Sequence, residues 1–478
     1  MKHIIITMLI LGSALISFSQ SECNCEQELN LLIKKMESEY PGFKEKTPDK
    51  RMYNTFKERL IIKSQNISAT DCFDLLNDYL SFFRDAHIFL IRTKEFQEMK
   101  EARENQDSQT NEIQDSQPDK KSESKVDNTF DDFYKYIYET KDELEGVWSS
   151  SSYKVGIIKK ENDYQGFIIE AANESWKPNE IKFSLLQDGK ANYYMGDHSL
   201  HEDSYELIEG SILAFKNISS VFIKELPKPK LTENEIKSKL DKIEGFYFTK
   251  LTERTSLLCI SSFDDAHVEK IEKLVSDNQN AIENSENLII DIRNNLGGTY
   301  DAYDEILPYI ITNNIRGVGS EFLVTQTLID GVEDWFDDEE GKEMARSWIK
   351  MFEGKMGEFV NTDTADVLVK EIEIAKKSPK QIAVLVNKMT ASSGEAFTLE
   401  AKQSKKVKIL GVPTYGVIDY GSASPFEFGS ENYMLVMPTW RSMRLPDYPI
   451  DNIGVQPDIY LDKSVKDWIQ FAVDYLEN

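Results

Sequence analysis

The stretch Ile382-Ala383-Val384-Leu385-Val386-Asn387-Lys388-Met389-Thr390-Ala391-Ser392-Ser393-Gly394-Glu395 decides how this chain is read. Five consecutive apolar residues fit a strand buried on both faces. A turn follows, and a helix runs on from Glu395. A serine at such a strand-to-helix turn presents its Oγ at the end of a sheet. The backbone N–H groups after it lie at a helix N-terminus, where they can stabilise an oxyanion. Taken alone, the same residues also read as an ordinary N-cap with capping-box spacing.

The strand Leu288 to Ile292 runs into the segment Asp291-Ile292-Arg293-Asn294-Asn295-Leu296-Gly297-Gly298. Paired glycines after a buried strand allow a sharp turn and a close backbone approach. Gly297 or Gly298 is therefore a candidate second oxyanion donor, and a plain Asn/Gly turn is the alternative. Further strands are expected at Ser256 to Ile260, Lys408 to Leu410 and Tyr433 to Met437, with a helix from Val268 to Val275. Alternating strands and helices over residues 229–478 indicate an α/β domain.

The five histidines are His3, His87, His198, His201 and His267. His87 follows an apolar helix with the stripe Cys72, Leu76, Tyr79, Leu80 and Phe83, for which Thr70 is a good N-cap. It precedes the strand-like Ile88-Phe89-Leu90-Ile91. That position should be partly buried, as a general base for a serine requires. A hydrogen-bonded structural histidine fits as well. Near the C-terminus, Asp451 in Tyr448-Pro449-Ile450-Asp451-Asn452-Ile453-Gly454-Val455-Gln456-Pro457-Asp458-Ile459 could orient a histidine, or serve as a turn residue.

Composition narrows the classes. The chain has 478 residues, 40% of them hydrophobic, and a formal net charge of -27. Binding to nucleic acid or to an anionic membrane needs clustered Lys and Arg, which this balance argues against. Residues 1–20, with basic Met1-Lys2-His3 and apolar Ile4 to Phe18, read as a signal peptide, so stable membrane insertion is not expected. Export would permit disulfides: Cys23 or Cys25 could bridge to Cys72, and the alternative is that Cys72 and Cys259 are small core hydrophobes. No paired Cys/His spacing suggests a metal. Residues 21–93 form a helical segment, with Pro41-Gly42 ending a first helix over residues 26–40. Residues 94–128 are an acidic low-complexity linker. Over residues 129–228, period-two alternation through Trp148, Val155, Ile157, Phe167, Ile181, Phe183 and Leu185 predicts a small β-barrel or sandwich.

The segments Leu288–Gly298, Val384–Glu395 and Gly454–Ile459 together resemble the C-terminal processing, or tail-specific, peptidases and their tricorn-core and nisin-resistance relatives. The resemblance covers roughly residues 245–465 plus the helix into His87. It implies a crotonase-like α/β peptidase core with no cofactor or metal, acting on peptides or unfolded proteins, while the signal peptide read above places the mature protein in the periplasm or secreted. In the tail-specific branch a lysine serves as base, and its position here is Val417, which cannot take a proton. In the tricorn-like branch the base is a histidine in an Asp-x-His segment, matched by Asp85-Ala86-His87. An acid before Gly-Val-x-Pro-Asp completes that set, matched by Asp451. The resemblance thus implies a catalytic set of Ser392, His87 and Asp451. The oxyanion donors it implies are the N–H groups of Ser393 and of Gly297 or Gly298. A catalytically inactive ligand-binding protein on the same fold is the alternative.

Overall fold

The computed structural model describes residues 24–97, 130–173, 175–218, 220–336, 338–363, 365–372 and 376–478. The signal peptide expected over residues 1–20 lies outside the described residues, as does nearly all of the linker expected over 94–128. The chain divides into two compact units, one holding the described residues to 97 and those from 248 on, the other holding 130–247. Among the described residues, no helix is long and apolar enough to cross a membrane.

In the unit over 130–247, eight antiparallel strands close into a barrel whose order follows the chain, from Gly146–Ser149 to Val221–Leu226. Closure removes exposed edges and decides between the barrel and the sandwich. The inward-facing side chains anticipated from period two, among them Trp148, Val155, Ile157, Phe183 and Leu185, fill the interior. Lys182 is buried with them. Its Nζ donates to the Tyr194 carbonyl at 2.6 Å and lies 4.1 Å from the Tyr153 ring centroid. Burial lowers its pKa to about 7. A helix at Phe130–Ile137, which the sequence reading did not anticipate, packs Phe133 and Ile137 against Val147 and Phe167.

The other unit is built on a six-stranded sheet in the order Phe246–Lys250, Thr255–Ile260, Asn287–Asp291, Gln381–Val386, Val407–Gly411, Ile459–Tyr460. Each neighbouring pair from Thr255–Ile260 onward is parallel. The strand Asn287–Asp291 is buried at all five positions, as a parallel strand covered on both faces must be. The helix Trp468–Glu477 packs on the central strands.

The N-terminal helices belong to this unit. Cys25–Glu39 and Cys72–Ser81 are joined by a disulfide between Cys25 and Cys72, which selects one of the two pairings left open by the sequence. The whole predicted stripe from Cys72 to Phe83 is buried, against Leu90, Tyr433, Leu435 and Met437 of a second, three-stranded sheet. Two details differ from expectation. The helix begins at Cys72 with Asp71 as its cap, while the Thr70 hydroxyl pairs with Ser68. A further helix, Lys50–Ser64, starts where Asp49 accepts from the Arg51 and Met52 N–H groups.

Candidate active site

The nucleophile turn is fastened at several points. The Thr390 hydroxyl donates to the Ile292 carbonyl at 3.1 Å, and the Ala391 N–H donates to the Asn295 carbonyl at 2.9 Å. The helix begins at Ser393, two residues earlier than the sequence suggests. Ser392 itself has φ 51° and ψ -121°, a conformation that a side chain makes costly. Its N–H meets the Glu395 carboxylate at 3.3 Å, which is the capping-box contact foreseen in the sequence.

Glu395 does more than cap. It is fully buried and accepts from the Gly416 N–H at 2.7 Å, the Val417 N–H at 2.9 Å and the Thr414 hydroxyl. Burial raises its pKa, against the pull of those hydrogen bonds. One carboxylate therefore ties the backbone of Ser392 to the loop that places Val417. That valine is itself buried.

The glycine loop lies directly on the serine. A methyl group on Gly297 would sit 2.7 Å from Ser392 Cβ and 2.9 Å from the Ser393 nitrogen. Asn295 is buried beneath, its amide donating to the Ile260 carbonyl and its Oδ1 accepting the Gly297 N–H at 2.9 Å. The Gly297 N–H is thus already committed. The N–H groups of Gly298 and Ser393 have no acceptor among the described residues, which favours Gly298 of the two glycines named from the sequence.

His87 lies just before the strand Phe89–Arg92, its side chain 22% exposed. Its backbone N–H donates to Asp85 Oδ1 at 2.9 Å, and its Nδ1 is 3.7 Å from the same oxygen. Asp85 is buried and accepts a second hydrogen bond from the Tyr40 hydroxyl at 2.8 Å. The carboxylate beside His87 is therefore Asp85. Asp451 is turned elsewhere, 3.0 Å from Lys46 Nζ and 3.0 Å from the Asp419 N–H. No hydrogen bond or ion pair joins Asp451 to His87, or His87 to Ser392, among the described residues.

The His87 loop is nonetheless linked to the serine turn. Asn452 Nδ2 donates to the Arg84 carbonyl at 3.0 Å, and its N–H donates to the Gly416 carbonyl at 2.9 Å. Gly416 in turn donates to Glu395, which holds Ser392. Arg84, Asn294, Ser392 and Asn452 all have positive φ. Strain of that kind persists only where the surroundings over-determine it, and these four residues fall in the four loops that carry the candidate residues.

Asp451 is pushed up to about 7, first by burial and then by the charges of Asp85 and Asp419, against the pull of Lys46. An unfolded aspartate releases its proton near pH 4. Between the two values the native state binds the extra proton, so stability falls as pH rises through that window. Asp451→Asn is expected to remove this component, on the order of 2–4 kcal/mol. Denaturant unfolding of both proteins at about pH 4 and about pH 7 checks it, and equal slopes would refute it. The difference between proteins is needed because buried Glu395 and half-buried Glu400, also raised, contribute in the same direction.

The roles of Asn295, Glu395, Lys46, Tyr40 and Asp419 were not foreseen. Only Glu395 carried a local signal, its position three residues after Ser392. The arrangement as a whole offers an exposed-end serine, two uncommitted N–H groups and a histidine backed by a buried acid. Those are the parts that nucleophilic acyl chemistry requires.

Part of the chain matches a known protein family. The family model described as Peptidase family S41 matches residues 254–461. Over those residues the chain is similar to peptidase family S41, a family of serine peptidases. It is similar to the chloroplastic carboxyl-terminal-processing peptidase 2 of Arabidopsis thaliana, with 26% identity over 262 residues. That match takes in 54% of this chain and 41% of the relative, so less than half of the relative's length is spanned. Among solved structures, mature CPAF complexed with lactacystin has 12% identity and a TM-score of 0.49, covering 95% of this chain and 97% of that one. The photosystem II D1 C-terminal processing protease has 13% identity and a TM-score of 0.39, with 92% and 94% covered.

Proposed function

We propose that this chain is an exported serine peptidase that cleaves peptides or unfolded proteins through an acyl-enzyme. The observation that carries the reading is Ser392 at positive φ on a helix N-terminus, with the Ser393 and Gly298 N–H groups uncommitted beside it. His87 takes the proton from Ser392 Oγ as that oxygen attacks the scissile carbonyl. The two N–H groups hold the oxyanion. His87 then protonates the leaving amine, and water attacks the acyl-enzyme with His87 again as base. Asp85, with a carboxylate oxygen 3.7 Å from His87 Nδ1, orients the ring, and Asp451 belongs to the same acid cluster.

The parallel sheet with its serine turn is read as a crotonase-like core over residues 229–478, with the segment 21–93 supplying the base and the module 129–228 inserted between them. The Cys25–Cys72 disulfide supports a location outside the reducing cytoplasm, after removal of a signal peptide over 1–20.

Labelling with a serine-reactive fluorophosphonate tests the reading. Wild-type protein is expected to label at Ser392, and His87→Ala to label at least ~100-fold more slowly, the usual worth of a positioned base. A wild-type protein that does not label would point instead to a ligand-binding protein on the same fold. The buried Val417 at the lysine position of the tail-specific branch is the observation in favour of that second reading.

A further inference from the structure

The Pro41-Gly42 turn, read from sequence only as a helix stop, places two side chains on the acid cluster. Tyr40, before the turn, donates to Asp85. Lys46 ends the short helix Phe43–Lys46 after it and reaches Asp451, 405 positions away. The tyrosine ring folds back closely over the turn: a methyl group on Gly42 would lie 2.4 Å from the Tyr40 hydroxyl oxygen, so the ring would have to shift to admit it.

Three aspartates share the cluster, and each is balanced differently. Asp419 has Arg444 at 3.2 Å and accepts the N–H groups of Ile450 and Asp451. Asp85 has the Tyr40 hydroxyl and the His87 N–H. Asp451 has the Asp419 N–H and Lys46. Lys46 is thus the cation paired with Asp451 among the described residues, and the two side chains are only 13% and 6% exposed. Its ammonium also lies 5.0 Å from the Tyr420 ring centroid. Of the remaining charges nearby, Glu45 and Glu321 both pair with Arg441. A buried carboxylate beside two others loses its charge when its counter-ion is removed.

We propose that Lys46 is a positioning residue for the reaction: it favours the ionised form of Asp451 in the acid cluster that reaches His87 through Asp85, and so sets the acid side of the pH–rate profile. This rests on the peptidase reading above. Lys46 touches neither Ser392 nor the oxyanion donors, so its removal acts on kcat and its pH dependence, and leaves KM nearly unchanged.

The test compares wild type, Lys46→Met and Lys46→Arg on one peptide substrate from about pH 5 to about pH 9. In Lys46→Met the acid limb of kcat is expected to move up by about one pH unit or more, with Lys46→Arg restoring the wild-type profile. Superimposable profiles for wild type and Lys46→Met would overturn the proposal, as would an arginine variant no better than the methionine one. A second arm uses no substrate. Denaturant unfolding should show the pH-dependent stability loss of wild type ending near pH 7 and that of Lys46→Met continuing above it. A window unchanged by the substitution would also overturn the proposal. If wild type cleaves nothing, the peptidase reading fails while this arm still decides what Lys46 does to Asp451.

Discussion

Ser392→Ala is expected to lower kcat for peptide cleavage by on the order of 10⁴–10⁶, with little change in the unfolding midpoint. The size follows from the chemistry. Without Oγ there is no acyl-enzyme, and only oxyanion stabilisation and binding remain to accelerate attack by water. The small effect on stability follows from the structure. Alanine keeps the Cβ, so it neither relieves nor worsens the cost of φ 51°. The turn is held by groups other than the hydroxyl: the Ala391 N–H on Asn295, the Thr390 hydroxyl on Ile292 and the Glu395 carboxylate on the Ser392 N–H. Cleavage of an unfolded-protein panel, read as new termini by mass spectrometry, checks the rate, and a thermal melt of the same preparation checks the fold. Retention of wild-type cleavage would assign the chemistry to another residue.

How much of this was legible in the sequence depends on how local each feature is. The strand Gln381–Val386, its turn and the helix from Ser393 are contiguous, and five apolar residues followed by turn residues mark them plainly. The barrel strands show because inward and outward side chains alternate at period two. The helix Lys50–Ser64 was missed because it buries only Tyr53, Leu60 and Ser64, too few to leave a helical stripe.

The site is legible in its members and less so in their pairing. The turn marks Ser392 as a candidate, and the Asp-x-His segment marks His87. Which acid lies beside His87 depends on where two buried carboxylates find partners. Lys46 draws Asp451 from 405 residues away, and nothing in the sequence near Asp451 announces it. Likewise Gly297 and Gly298 are equivalent as letters. It is the Asn295 side chain, turned back onto the Gly297 N–H, that distinguishes them.

That distinction makes Gly298→Ala the second large effect. The backbone at Gly298 has φ 141°, open to glycine and costly for alanine. An added methyl group would meet the Phe263 carbonyl oxygen at 2.0 Å and its carbon at 2.3 Å. Those are backbone atoms in a bridge where Phe263 donates to the Gly297 carbonyl and accepts from the Thr299 N–H, so no side-chain rotation can relieve the clash. The loop must shift, which is expected to cost about 3 kcal/mol or more. The shift also carries the Gly298 N–H away from the oxyanion, and one donor is worth roughly 10²–10³ in kcat. Gly297→Ala is the control. Its methyl group would press on Ser392 Cβ, the Ala391 carbonyl and the Ser393 nitrogen, which displaces the nucleophile itself and should abolish fluorophosphonate labelling. In Gly298→Ala the nucleophile stays in place, so labelling should be slowed while kcat falls with KM nearly constant. Wild-type kcat in Gly298→Ala would show that the second donor lies elsewhere.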